Sequence, residues 1–168
     1  LSGNAIHSWS SNDLRIEGNL VRGHRDGIYL EFTTGAVVRH NTSSGNLRYG
    51  LHFMFSNQCE YTDNHFLANG AGVAVMYSHH VLMERNTFAE SWGSGAYGVL
   101  LKDISDSRLA GNRFDRNSTG LFGEGTNRVE VTGNEFTRNG WGVRIMADAH
   151  ETAFTGNRFS GNSFDVSS

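Results

Sequence analysis

The 168-residue chain contains no proline. Every position after the first can therefore donate a backbone N–H, which suits a chain whose segments nearly all join a hydrogen-bond ladder. Its one cysteine, Cys59, excludes an intrachain disulfide and a Cys-x-x-Cys metal knuckle. No apolar run approaches the length of a membrane span. A net charge of −3 excludes the basic field that would hold a nucleic acid. Amphipathic helices are excluded because, except within single coils, no window of 11 residues lacks a glycine or an asparagine turn signal. GxSxG, HExxH and P-loop motifs are missing. No signal-peptide pattern precedes Leu1, as expected of a processed chain or an excised domain.

What the chain has is glycine, 21 of them, and a repeat. The repeat is centred on Asn19, Asn41, Asn64, Asn86, Asn112, Asn134 and Asn157, spaced 22, 23, 22, 26, 22 and 23 residues apart. Two residues after each stands Val21, Ser43, Phe66, Phe88, Phe114, Phe136 or Phe159. Ahead of each asparagine lies a short alternating stretch, Leu14/Ile16, Val81/Met83 and Val129/Val131 among them. A glycine follows at Gly27, Gly50, Gly72, Gly98, Gly120 and Gly142, and then a second alternating stretch such as Leu51/Phe53 or Val73/Val75. Alternation is the period of a half-buried strand.

Two or three short strands in about 22 residues make one coil of a right-handed parallel β-helix, here about seven coils in an all-β fold. Stacking coils roughly 4.8 Å apart would align the inward side chains in columns. One such column is phenylalanine, and the asparagines should stack at a turn and bond from coil to coil. The glycines are expected at tight corners needing positive φ. A leucine-rich solenoid is the rival, but no LxxLxL core is present. Residues 1–168 read as one domain. A partial coil from Leu1 to Ser10 and a mid-repeat stop after Ser160 predict that the helix continues in a longer protein. The 26-residue coil carries an insertion between Phe88 and Gly98, with Trp92 and Tyr97 on it. Solenoid insertions become loops on one side, often the binding side.

Counting two residues from each glycine gives Tyr29, His52, Ala74, Leu100, Phe122 and Arg144; counting four gives Glu31, Met54, Met76, Lys102, Glu124 and Met146. Both series should point outward. His52 and Met54 would then share a face, with Met76 beside Met54 on the next coil and His79 and His80 close behind. One imidazole and two thioethers make a soft donor set suited to Cu(I), although methionines on such a flank also pack against partner proteins. Met83 should point inward and is no ligand. Leu100 and Phe122 are expected on an exposed apolar face that meets a partner. β-Helices that cleave polysaccharides need clustered carboxylates with a positioned base; Lys102, Asp103, Asp106 and Glu124 are the residues that could supply such a group.

The segment from Arg48 to Asn112 resembles the NosD family through RYGLHFMFS, through VAVMYSHH with its following RNTF, and through GVLLKDISDSRLAGNRF. The resemblance implies a periplasmic β-helix accessory protein, labelled copper-binding and not an enzyme. It implies work with an ABC-type ATPase and permease, and nitrous oxide reductase as the protein whose copper–sulfur centre is assembled. A carbohydrate-binding or polysaccharide-degrading β-helix is the alternative.

Overall fold

The computed structural model describes residues 3–168; of the partial first coil, Leu1 and Ser2 lie outside the described residues. Among the described residues there are twenty strands and no helix. Every strand pair among the described residues is parallel, and each partner lies one coil away in sequence, as Ile28 pairs with Leu51 and Val73 with Val99. The architecture is a β-solenoid of about seven turns. A seven-stranded sheet runs up one side, carried by strands such as His65–Leu67, Thr87–Ala89 and Arg113–Asp115. The other strands form a thirteen-stranded sheet that wraps two sides. In Tyr97–Ala110 and Thr119–Thr132 both sides belong to one continuous strand of 14 residues.

The phenylalanine column is present. Phe66, Phe88, Phe114 and Phe136 are fully buried, with ring centroids 5.5, 4.8 and 4.5 Å apart in succession. Phe159 stacks on Phe136 at 5.0 Å but is only half-buried, because it lies in the last full coil. Beside this column run Ile28, Leu51, Val73, Val99, Leu121 and Val143, all fully buried. Ser43, which stands where a phenylalanine was expected, is also buried. Its hydroxyl donates to the Gly50 carbonyl at 2.8 Å and accepts from Asn46 Nδ2 at 3.0 Å.

The asparagines form a ladder. Asn112 shows the pattern: its backbone N–H and Nδ2 both donate to Asn134 Oδ1, at 2.9 and 3.0 Å. Its other amide hydrogen goes to the Met83 carbonyl at 2.8 Å, and its own Oδ1 accepts from Asn86. A second ladder, five residues further on, was not anticipated. It runs through Asn46 and Asn69 and resumes at Asn117, Asn139 and Asn162.

The expectation for the glycines needs correcting. Gly27, Gly50, Gly72, Gly98, Gly120 and Gly142 do not have positive φ. They are required by close approach: a Cβ at Gly98 would lie 2.6 Å from the Gly120 carbonyl oxygen and 3.0 Å from the Phe114 ring. The positive-φ corners fall to other residues, many with side chains, including Phe55 at 48°, Tyr77 at 51°, Asp103 at 50° and Arg128 at 52°. Each such corner costs energy in isolation, and the ladder bonds on either side hold it.

Two outcomes follow from this packing. Phe114→Ala should lower unfolding free energy by about 3–5 kcal/mol in urea titration, the usual cost of a large core truncation. Gly98→Ala should also destabilise. Glycine-to-alanine changes at compatible sites stabilise by about 0.4–1 kcal/mol, but here the added methyl meets backbone that cannot move without opening the coil stack. A Gly98→Ala variant at least as stable as the parent would contradict the close-approach account.

Candidate metal site and partner face

The strands Ile28–Glu31, Tyr49–Met54, Ala71–His79 and Tyr97–Ala110 carry the candidate residues. Their outward positions lie in register as expected: Tyr29, His52, Ala74, Leu100, Phe122 and Arg144 in one column, and Glu31, Met54, Met76, Lys102 and Glu124 in the next. Met54 and Met76 are direct cross-coil partners, and both are half-buried. The Tyr29 hydroxyl donates to Met54 Sδ at 3.7 Å. Met83 is fully buried in the core.

His52 departs from the expectation of an exposed ring. It is only 4% accessible. Tyr29 stacks on one face at 4.6 Å, and Tyr49 leans over the ring at 4.7 Å. Neither ring nitrogen has a hydrogen-bond partner. Desolvation pushes its pKa down to about 4, outweighing the nearby Asp26 charge, which acts in the opposite sense. The imidazole is therefore neutral at neutral pH, with two unused nitrogens.

Beside it lies a pair that sequence reading missed. Asp26 is fully buried, and Arg48 from the next coil grips it with Nε–Oδ1 at 2.9 Å and Nη2–Oδ2 at 2.5 Å. That hydrogen bonding raises the Arg48 pKa further. Burial also raises the hydroxyl pKa values of Tyr29 and Tyr49, so both stay protonated.

The remaining candidates divide into separate groups. His79 and His80 are exposed and lie beyond the corner at Tyr77, away from the Met54–Met76 pair. Their Nδ1 atoms are 2.8 Å apart, which requires one ring to donate and the other to accept. Leu100 and Phe122 are half-buried rather than exposed, and Phe122 packs on Tyr97 at 4.9 Å. Ala74, between His52 and Leu100, is buried by its larger neighbours. Lys102 faces Glu124 in register, and Asp103 turns the corner next to it beside Gly125. Asp106 is on the following side, engaged by both Nε and Nη2 of Arg128, which lower its pKa to about 2. The four groups thus do not converge. Cys59 is buried with its thiol pKa raised by desolvation. Among the described residues no three His, Cys, Asp or Glu side chains gather as a metal-binding group.

A family model for NosD, described as "Periplasmic copper-binding protein (NosD)", matches residues 1–168. Among curated proteins none matches the chain in sequence. Solved structures of parallel β-helix proteins share its fold, and three serve as examples. The periplasmic alginate epimerase AlgG superposes with a TM-score of 0.78 at 14% identity, over 93% of this chain and 47% of that one. The A-module of an Azotobacter vinelandii mannuronan C-5 epimerase gives 0.65 at 14%, over 92% and 61%. An alginate lyase from Paenibacillus sp. gives 0.58 at 14%, over 99% and 76%. The chain thus spans about half the length of AlgG. At these identities the likeness is one of fold alone.

The buried imidazole makes stability depend on pH. An unfolded histidine titrates near 6.5, whereas His52 in the fold titrates near 4. Between those values the unfolded chain binds more protons, so stability falls as the pH is lowered from about 6.5 to 4. The full penalty is about 3 kcal/mol. Above pH 6.5 both states are neutral and the effect vanishes. Urea titrations of the parent and of His52→Leu should diverge across this window. Parallel curves would show that His52 is not held neutral. The Asp106–Arg128 pair acts in a lower window, from the ordinary aspartate value of 3.8 down to about 2.

Proposed function

The chain belongs to the NosD family of periplasmic copper-binding proteins, and on that premise we propose that it is a maturation factor rather than an enzyme. It presents copper for assembly of the copper site of nitrous oxide reductase and works with an ABC-type ATPase and permease. One observation carries this reading: a neutral imidazole with two unpartnered nitrogens lies two residues from Met54, whose cross-coil partner is Met76. Imidazole and thioether donors suit Cu(I); the carboxylate nearest in register is Glu31, the cross-coil partner of Met54 on the side away from Met76.

In this reading His52, Met54 and Met76 hold the cargo. Tyr29 orients two of the three, stacking on His52 and bonding Met54. Tyr49 and Tyr29 exclude water from the imidazole. The donor set is sparse: the two thioethers are half-buried on an outer flank, and the imidazole nitrogens lie behind Tyr29 and Tyr49, which must shift to admit the ion. His79 and His80, on their own corner, serve as a separate two-nitrogen docking point on the way in or out. Leu100 and Phe122 lie further along the same column and are the proposed contact with the reductase or permease. Leu100→Asp should weaken complex formation with these partners.

A polysaccharide-cleaving β-helix, like the alginate epimerases and lyase that share the fold, is the second reading. Its acid–base group would have to come from Lys102, Asp103 and Glu124, because Asp106 is committed to Arg128. That leaves it the weaker of the two.

Titration with Cu(I) against a competing chelator tests the copper reading. The parent should bind one equivalent and prefer Cu(I) to Zn(II). Met54→Leu with Met76→Leu should lose at least about tenfold in affinity, the equivalent of roughly 1.4 kcal/mol. Equal affinity in parent and double variant, or no binding by either, would leave the methionines as packing residues and discard this site.

A further inference from the structure

We infer that the flank carrying the insertion loop binds an extended, carboxylate-bearing polysaccharide chain. The residues before the corner glycines form a further column: after the buried Asp26 come Tyr49, Ala71, Tyr97, Thr119 and Trp141, the three rings half-buried and Ala71 and Thr119 buried, and Phe164 continues it in register, stacked on Trp141 at 4.1 Å. From Tyr49 to Trp141 large and small residues alternate. Tyr49, Tyr97 and Trp141 therefore recur at every second coil, about 10 Å apart along the solenoid. That separation is close to the repeat of two sugars in an extended 1,4-linked chain.

The insertion fills the middle of this row. Trp92 is 59% exposed at the tip of the loop. The loop is pinned by the Gly93 N–H donating to Ser118 Oγ at 2.9 Å, and its turn uses Gly93 and Gly95 at positive φ. Trp92 stands between two open clefts. One, of about 400 Å³, is floored by Ser118 and Thr119 and walled by Tyr97, Trp141 and Arg144. The other, of about 280 Å³, is floored by Gly70 and Ala71 and walled by Arg48 and Tyr49.

The chemistry of these walls selects the ligand. Aromatic faces with small polar residues between them receive the C–H faces of pyranose rings and leave the hydroxyls to Ser94, Ser118 and backbone groups. No carboxylate lines either cleft; the only charged lining residues are Arg48 and Arg144. Arg48 is committed to Asp26. Arg144 lies over the Trp141 ring at 5.3 Å and makes no ion pair among the described residues. With Phe164 on one face of Trp141 and the guanidinium over the ring, Arg144 is placed to pair with a carboxylate on a sugar lying in the cleft beside Trp141. A protein partner would favour a continuous apolar patch over rings separated by gaps. The row contains none of the copper donors, though it shares Tyr49 with the wall over His52.

The test uses β-1,4-linked glucuronate oligomers of two, four and six units, with neutral cello-oligomers of the same lengths as controls. Binding is read by tryptophan fluorescence and calorimetry on the purified chain. Affinity for the uronates should rise with length, and the hexamer should bind at least about tenfold more tightly than the dimer. Trp92→Ala and Trp141→Ala should each weaken hexamer binding by about tenfold, the scale of one lost aromatic stack. Arg144→Gln should remove the preference for uronate over neutral oligomers. Melting temperatures of the variants serve as the folding control, with Trp92→Ala the decisive one because its side chain supports no core. No binding at any length, equal binding of neutral and charged oligomers, or tryptophan variants that bind like the parent would overturn the inference. So would a protein partner that needs Trp92 while the oligomers do not bind.

Discussion

A buried asparagine amide has two hydrogens to donate and two lone pairs to satisfy, and the fold depends on answering all four between coils. In the ladder from Asn19 to Asn157 each interior Oδ1 accepts from the backbone N–H and the amide of the preceding rung, while the remaining hydrogen reaches a carbonyl further back. Leaving one such group unpaired in the interior costs about 1–3 kcal/mol. The ladder consequently fixes the separation of coils and the register of every strand beyond it. The columns of outward side chains, and any site built from them, inherit that register. Met54 meets Met76 because Asn64 meets Asn86.

Much of this was legible from period alone. The asparagine and phenylalanine columns and the pairing of Met54 with Met76 need only the repeat length and the alternation of strands. The second asparagine ladder was equally open to view, since an asparagine or a substitute recurs five residues after each of the first. So were the cross-coil ion pairs. Asp26–Arg48, Asp63–Arg85, Asp106–Arg128 and Asp115–Arg138 each set an aspartate one coil before an arginine. A repeat that aligns residues of opposite charge 22 or 23 positions apart announces such pairs. What period cannot convey is how side chains fold across the surface. His52 is outward by count, yet Tyr49 and Tyr29 cover it. The glycines looked like corners because glycine usually serves positive φ, whereas here the pressing demand is the carbonyl of the next coil.

Burial of His52 beside a buried carboxylate would ordinarily favour the charged imidazolium. It does not here, because Arg48 neutralises Asp26 across the coil boundary. With that charge answered, desolvation dominates and the ring stays neutral. The local field is thus arranged so that proton binding is suppressed while the ring's one nitrogen lone pair remains unused. For a soft cation that is the useful combination, since it competes with no proton and meets no fixed positive charge on the imidazole. Asp26 and Arg48 touch neither sulfur, and their contribution is to the electrostatics of the cavity wall.

The insertion shows where a solenoid of this kind can be altered. In the 26-residue coil the second ladder loses its asparagine: Ser91 stands in the rung, its N–H still reaching Asn117 Oδ1 but its hydroxyl buried without a partner. The missing amide coincides with the point where the chain leaves the coil to raise Trp92. The first ladder runs unbroken from Asn86 to Asn112, and the second resumes in register at Asn117. A break in one ladder is tolerated because the other, with the phenylalanine stack at Phe88 and Phe114, carries the coil spacing across the gap. The repeat is thereby free to vary on the flank while its core stays periodic, which is how an aromatic loop and a histidine–methionine cluster can occupy neighbouring stretches of one surface, with Tyr49 common to the walls of both.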